Sequence, residues 1–99
     1  MPSRKQTADP KDPELVELGR RVRELRVDRG KSQETLAHDA DLHWTYVSQI
    51  ERGLRNCTFK NLRRLARGLD VAEAELFRPP GSPVPPVAAA NGSEGSSLE

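Results

Sequence analysis

Between Leu15 and Phe77 the apolar positions recur at three- and four-residue spacing, and no segment alternates with period two over more than a few residues. Leu15, Leu18, Val22 and Leu25 make one stripe. Asp12-Pro13-Glu14 ahead of it is a helix start: the aspartate caps, proline suits the first helical position, and glutamate meets the positive end of the dipole. Gly30 closes this first helix. Ser32 caps a second, Gln33 to about Ala40, with Leu36, Ala37 and Ala40 inward and Ala37 small enough for a neighbouring helix to come close. Asp41 and Leu42 turn the chain into a third helix. After the loop Leu54–Cys57, Thr58 caps a fourth, whose predicted buried stripe is Phe59, Leu62, Leu65, Ala66 and Leu69. Gly68 within it costs about 1 kcal/mol relative to alanine, so that end is expected to fray. Asp70 breaks the helix, and Val71, Ala74, Leu76 and Phe77 predict a short fifth, ended at Arg78 by Pro79 and Pro80. The pattern therefore predicts an all-α domain of five helices in residues 12–78. A polar, flexible arm (1–11) precedes it. A Pro/Gly/Ser/Ala-rich tail (79–99) follows, too poor in apolar residues to offset the cost of ordering, and is expected to be disordered.

The third helix is two-faced. It lies in the stretch Asp39 to Gly53, DADLHWTYVSQIERG. At about 100° per residue, Trp44, Thr45, Ser48, Gln49 and Arg52 fall within a sector of roughly 140°. Tyr46, Val47, Ile50 and Glu51 fall on the rest of the circle. One side carries an aromatic ring, two hydroxyls, an amide and a guanidinium; the other carries the residues that hold the helix down. Gly53 ends it in the left-handed position that glycine adopts at least cost. A helix docked by one face and armed on the other with short polar side chains suits the major groove of DNA. An ordinary amphipathic surface helix has the same pattern.

Composition narrows the classes. Ninety-nine residues allow one domain. The formal net charge is only +1, which by itself does not announce a nucleic-acid binder. The distribution of charge does more: Arg52, Arg55, Lys60, Arg63, Arg64 and Arg67 follow one another without an intervening acid, directly after the third helix. The single cysteine, Cys57, cannot form an internal disulfide and suits a reducing cytoplasm. No run approaches a membrane span, and the polar start MPSRKQTADPKDP is unlike a signal peptide. His38 and His43 are five apart and share no helix face, so neither a metal nor another cofactor is expected. No spacing suggests a Ser–His–Asp or Cys–His set, and no enzyme activity is expected.

The motif Ser32-Gln33-Glu34-x-Leu36-Ala37, a turn, Tyr46-Val47-Ser48-Gln49-Ile50-Glu51-Arg52-Gly53, and then Leu62, Leu65, Ala66 and Leu69 resembles the XRE family of helix-turn-helix proteins, the lambda-repressor-like DNA-binding domains. The resemblance runs from about Leu18 to Phe77. It implies a cytoplasmic, nucleoid-associated transcription regulator of bacterial or phage type, a repressor or autoregulator. Such a protein binds a two-fold operator in double-stranded DNA as a homodimer, with its third helix in the major groove. His43, Trp44, Thr45 and Gln49 match positions that contact bases, and Ser48 shares their face. Gln33 matches a phosphate contact, next to Ser32; Arg52, Arg55 and Asn56 line the DNA backbone, with Lys60 beyond them. The Gln49 amide is apt for the N6 and N7 edge of adenine. The alternative is a protein-interaction module of the same fold that contacts a toxin or RNA polymerase. Arg26 stands where the family pairs an arginine with the glutamate of the third helix, here Glu51, which implies a partly buried ion pair. Asp41 and Asp70 stand where glycine is usual, His43 and Ala72 where a capping serine is common, and Cys57 where proline is common. Val71, Leu76 and Phe77 give the last helix more apolar surface than it needs. With Leu69 and Ala74 they form a candidate dimer contact, unless they complete the monomer core.

Overall fold

The computed structural model describes residues 12–87. Four α-helices follow one another: α1 (Pro13–Asp28), α2 (Gln33–Ala40), α3 (Trp44–Glu51) and α4 (Phe59–Leu69). The predicted fifth helix is instead one short 3₁₀ helix, Glu73–Phe77. Its N-cap, Ala72, makes no side-chain capping bond, and Arg78 is already extended ahead of the two prolines. The other starts are capped by their own side chains. Asp12 accepts from Glu14 N–H, Ser32 from Thr35 N–H and Thr58 from Asn61 N–H, each at 3.0–3.1 Å. Asp41 and Asp70 end α2 and α4 in the left-handed conformation, at φ 59° and 58°, so aspartate does take up the glycine role there. Among the described residues there is no strand, and no helix is long and apolar enough to cross a membrane.

One core joins all of these elements: Val22 and Leu25 of α1, Leu36, Ala37 and Ala40 of α2, Val47 and Ile50 of α3, Leu65, Ala66 and Leu69 of α4, then Val71 and Leu76. α1 packs on α3, and α2 packs on both α3 and α4. Two glycines set how close these helices come. A Cβ on Gly19 would fall on the carbonyl oxygens of Ile50 and Glu51, so α1 touches the end of α3 backbone to backbone. A Cβ on Gly68 would lie 3.0–3.1 Å from Leu36 Cδ1, Ala40 Cβ and Ala40 N. Gly68 is therefore not a fraying point but a buried crossing of α4 over α2. Phe59 corrects the predicted stripe in the opposite sense. It is the first residue of α4 and 70% exposed, with the Arg63 guanidinium 5.7 Å from its ring centroid.

The chain beyond the 3₁₀ helix is not loose, as its composition suggests, at least as far as Val87. Arg21 of α1 is 0% exposed. Its Nε donates to Glu75 O at 2.9 Å. Nη1 reaches Glu24 Oε1 at 2.7 Å and Ser82 O at 3.0 Å; Nη2 reaches Glu75 Oε1 and Pro83 O, each at 3.1 Å. All five guanidinium hydrogens are engaged, which is what makes the burial of this charge tolerable. Two of the acceptors belong to the segment 79–87, which lies as a strap against α1. Gly81 N–H donates to Glu24 Oε2, Val84 packs against the core, and Arg29 Nη2 reaches Pro86 O. The expectation of disorder is thus corrected for residues 79–87. The arm 1–11 and residues 88–99, to which the same expectation extended, lie outside the described residues.

Candidate nucleic-acid interface

The turn between α2 and α3 is built from local hydrogen bonds. Asp41 N–H donates to His38 O at 3.1 Å and Leu42 N–H to Ala37 O at 2.8 Å, while the Leu42 side chain packs against the core. His43 then does the work of the usual serine: its Nδ1 accepts from Thr45 N–H at 3.1 Å. Nδ1 is thereby an acceptor, and in the neutral ring Nε2 carries the hydrogen. The His43 ring stacks on Trp44, with centroids 6.4 Å apart. Both rings are exposed, Trp44 to 49%.

At the other end of α3, Glu51 fixes the helix to its neighbours. Arg26 Nε donates to Oε2 at 2.6 Å and Arg26 Nη2 to Oε1 at 3.1 Å; Gln33 Nε2 donates to Oε1 at 3.0 Å. The Glu51 side chain is only 3% exposed, so α1 and α2 hold α3 through one buried carboxylate. Arg26 Nη1 also donates to Lys31 O at 2.8 Å. With Val47 and Ile50 buried on the same side, the opposite face of α3 is presented outward. It carries Trp44 and Thr45 exposed, Ser48 and Gln49 half-buried, and Arg52 exposed just past the helix end.

Of the residues expected along a DNA backbone, Gln33 and Arg55 touch α3. Ser32 is occupied as a cap and also donates its hydroxyl to Thr35 Oγ1. Gln33 gives one Nε2 hydrogen to Glu51 and keeps a second. Asn56 and Lys60 are exposed. Arg55 makes contacts that spacing along the chain did not indicate. Its Nε donates to Gln49 Oε1 at 3.0 Å, and its Cζ lies 5.2 Å from the Tyr46 ring centroid. The two residues are joined across the end of α3, beyond the reach of helix-face arithmetic. Tyr46 is half-buried, and burial raises its pKa. Burial also pushes the Cys57 thiol up, so that it stays protonated and is a poor nucleophile.

The candidate dimer residues separate into two groups. Leu69, Val71 and Leu76 are buried in the monomer core and have no surface to offer; Ala74 and Phe77 are exposed, Phe77 to 66%. The exposed ring of Phe59, which the periodicity assigned to the core, joins them as apolar surface. Beside Phe77 a groove is lined by apolar Leu15, Leu18, Leu62 and Leu76, with Cys57, and by charged Glu14, Glu17 and Arg78.

The chain is similar in sequence and fold to known proteins. The control protein C.BamHI of Bacillus amyloliquefaciens is 42% identical over 61 residues, 61% of this chain and 75% of that one. The crystal structure of the restriction–modification controller protein C.AhdI from Aeromonas hydrophila superposes with a TM-score of 0.65 at 48% identity, covering 66% of this chain and 98% of that one. The controller protein C.Esp1396I, solved bound to a 19 base pair DNA duplex, superposes with a TM-score of 0.60 at 36% identity, covering 64% of this chain and 84% of that one. Residues 17–77 match the family described as a helix-turn-helix domain. The chain belongs to the helix-turn-helix family, in its XRE, lambda-repressor-like form.

Proposed function

We propose that this protein is a sequence-specific, DNA-binding transcription regulator of the restriction–modification control type, acting as a homodimer on a two-fold operator and repressing or autoregulating its own operon. The observation that carries the reading is α3 itself: a helix held by Val47, Ile50 and a triply bonded Glu51, with its hydrogen-bonding face left outward. The relatives, one of them solved on a duplex, support it. On this reading His43, through Nε2, with Trp44, Thr45, Ser48 and Gln49, meets base edges. Ser32, Gln33, Arg52, Asn56 and Lys60 meet phosphates, together with the Nη groups of Arg55. A second copy covers Phe59, Ala74 and Phe77, which places the two reading helices about one helical turn apart on one face of the duplex, near 34 Å.

Two variants test the division of labour. Gln49→Ala will lose about 1–3 kcal/mol on the preferred operator and little on random duplex. Arg52→Ala will weaken both alike and make the salt dependence shallower by about one unit for each phosphate no longer neutralised, summed over both subunits. Titration of labelled duplexes at several salt concentrations measures both. Equal losses on every sequence for Gln49→Ala contradict the base-reading role. If neither variant changes DNA binding, a protein-interaction module on this fold becomes the better account.

A further inference from the structure

Gln49 and Arg55 form one unit, and its chemistry differs from that of a free glutamine. The inference rests on α3 being the major-groove helix. Arg55 is held at two points, by Gln49 Oε1 at 3.0 Å and by the face of the Tyr46 ring at 5.2 Å. Tyr46 packs against the core, so the guanidinium is seated on a fixed ring. A hydrogen bond from a charged donor is stronger than one between neutral groups, and here it occupies one of the two lone pairs of Gln49 Oε1 and sets a positive charge beside the other, which disfavours a second donor there. The two hydrogens of Gln49 Nε2 meet no acceptor among the described residues and are left for a ligand. Among the described residues no acceptor takes the four Nη hydrogens of Arg55. The unit as a whole therefore offers donors.

Adenine in the major groove offers the N7 acceptor and the N6 donor, so a glutamine that reads it needs its own oxygen. Guanine offers two acceptors, N7 and O6, and asks only for donors. We infer that Gln49 and Arg55 together read guanine, not adenine, at one base pair of each half-site, with Arg55 as the positioning residue that sets the direction of the Gln49 amide. Arg55 thereby acts on specificity, beyond any attraction to phosphate.

Selection of bound sites from a random duplex pool gives the operator, and the base pair at which Gln49→Ala relaxes the preference is the one read by the unit. At that position the wild-type chain is expected to prefer G·C over A·T by about tenfold or more. Replacing the guanine with 7-deazaguanine, which lacks the N7 acceptor, should remove much of that preference. Arg55→Met keeps a long side chain on Tyr46 but frees Gln49 Oε1, and should turn the preference at that position toward A·T. A merely structural role for Arg55 would weaken binding to all sequences without moving the preference. A wild-type preference for A·T there, no relaxation with Gln49→Ala at any position, or retention of the G·C preference in Arg55→Met overturns the inference while leaving DNA binding intact. Failure of the wild-type chain to bind any duplex overturns the proposed function along with it.

Discussion

Glu51→Ala will destabilise the domain by about 3–5 kcal/mol, the cost of removing one partner of a well-buried ion pair. A domain of this size has only roughly 4–10 kcal/mol in total, so the variant will be close to unfolded. Three donors lose their acceptor at once. Arg26, 12% exposed in the intact domain, has two of its bonds broken, and Gln33 loses its tie to α3. α3 is held to α1 and α2 through this carboxylate, so it should be the first element to lose its place. Urea unfolding at fixed protein concentration measures the loss. In the double variant Arg26→Ala/Glu51→Ala the loss should be well below the sum of the two single ones, because neither charge is then left stranded. A loss under about 1 kcal/mol for Glu51→Ala would show that the pair does not hold the helix.

The second large effect concerns Arg21. Arg21→Met keeps an unbranched side chain but takes the donors away from Glu24 Oε1, Glu75 Oε1 and the carbonyls of Glu75, Ser82 and Pro83. The expected loss is again about 3–5 kcal/mol, since five bonds are lost and Glu24 loses its paired cation, while Glu75 keeps only the exposed Arg78. Truncation after Arg78 removes the strap with the rest of the chain to Glu99 but leaves Arg21 its bonds to Glu24 and Glu75, and should cost less, about 1–3 kcal/mol. The truncation and Arg21→Met together should fall short of additivity, because both remove the Ser82 and Pro83 bonds. The same clasp gives an acid response. The Arg21 hydrogen bond holds the Glu24 carboxyl below the usual carboxylate range, with the Gly81 N–H and the Arg21 charge adding to it. A carboxylate depressed in the folded state adds stability at pH values above its unfolded pKa, and that stability is lost as pH falls through the folded one. Unfolding midpoints should therefore drop on acidification, and the drop should be smaller in Arg21→Met.

The sequence carried much of this fold because the decisive signals are local. Asp12, Ser32 and Thr58 cap their helices through bonds two or three residues away, and Asp41 and Asp70 turn the chain where they stand. The Arg26–Glu51 pair came from family resemblance, since its partners are 25 residues apart and no local rule joins them. No motif marks out Arg21, although it stands on the same face as Leu18, Val22 and Leu25. A charge on an apolar stripe is the one sign available, and apart from Glu24 its partners lie 54–62 residues further on. Those distant partners are also why composition alone misjudged residues 79–87: a segment with few apolar side chains is ordered by its backbone carbonyls. Phe59 has the right spacing for the core and still faces outward, because it begins its helix. Gly68 reads as a weak point because a propensity knows nothing of the α2 backbone beneath it. On the candidate interface, the outward face of α3 follows from helical arithmetic, whereas the Gln49–Arg55 contact depends on the course of the chain after Gly53.

Whether α3 reads DNA is decided by titration of the full chain against a duplex selected from a random pool and against a scrambled duplex, from about 50 to 200 mM salt. Both affinities are expected to fall linearly on a log–log plot of binding constant against salt, with the selected duplex bound about a thousandfold or more tighter at physiological salt. Equal affinity for the two duplexes at every salt concentration, or no binding to either, would contradict that role.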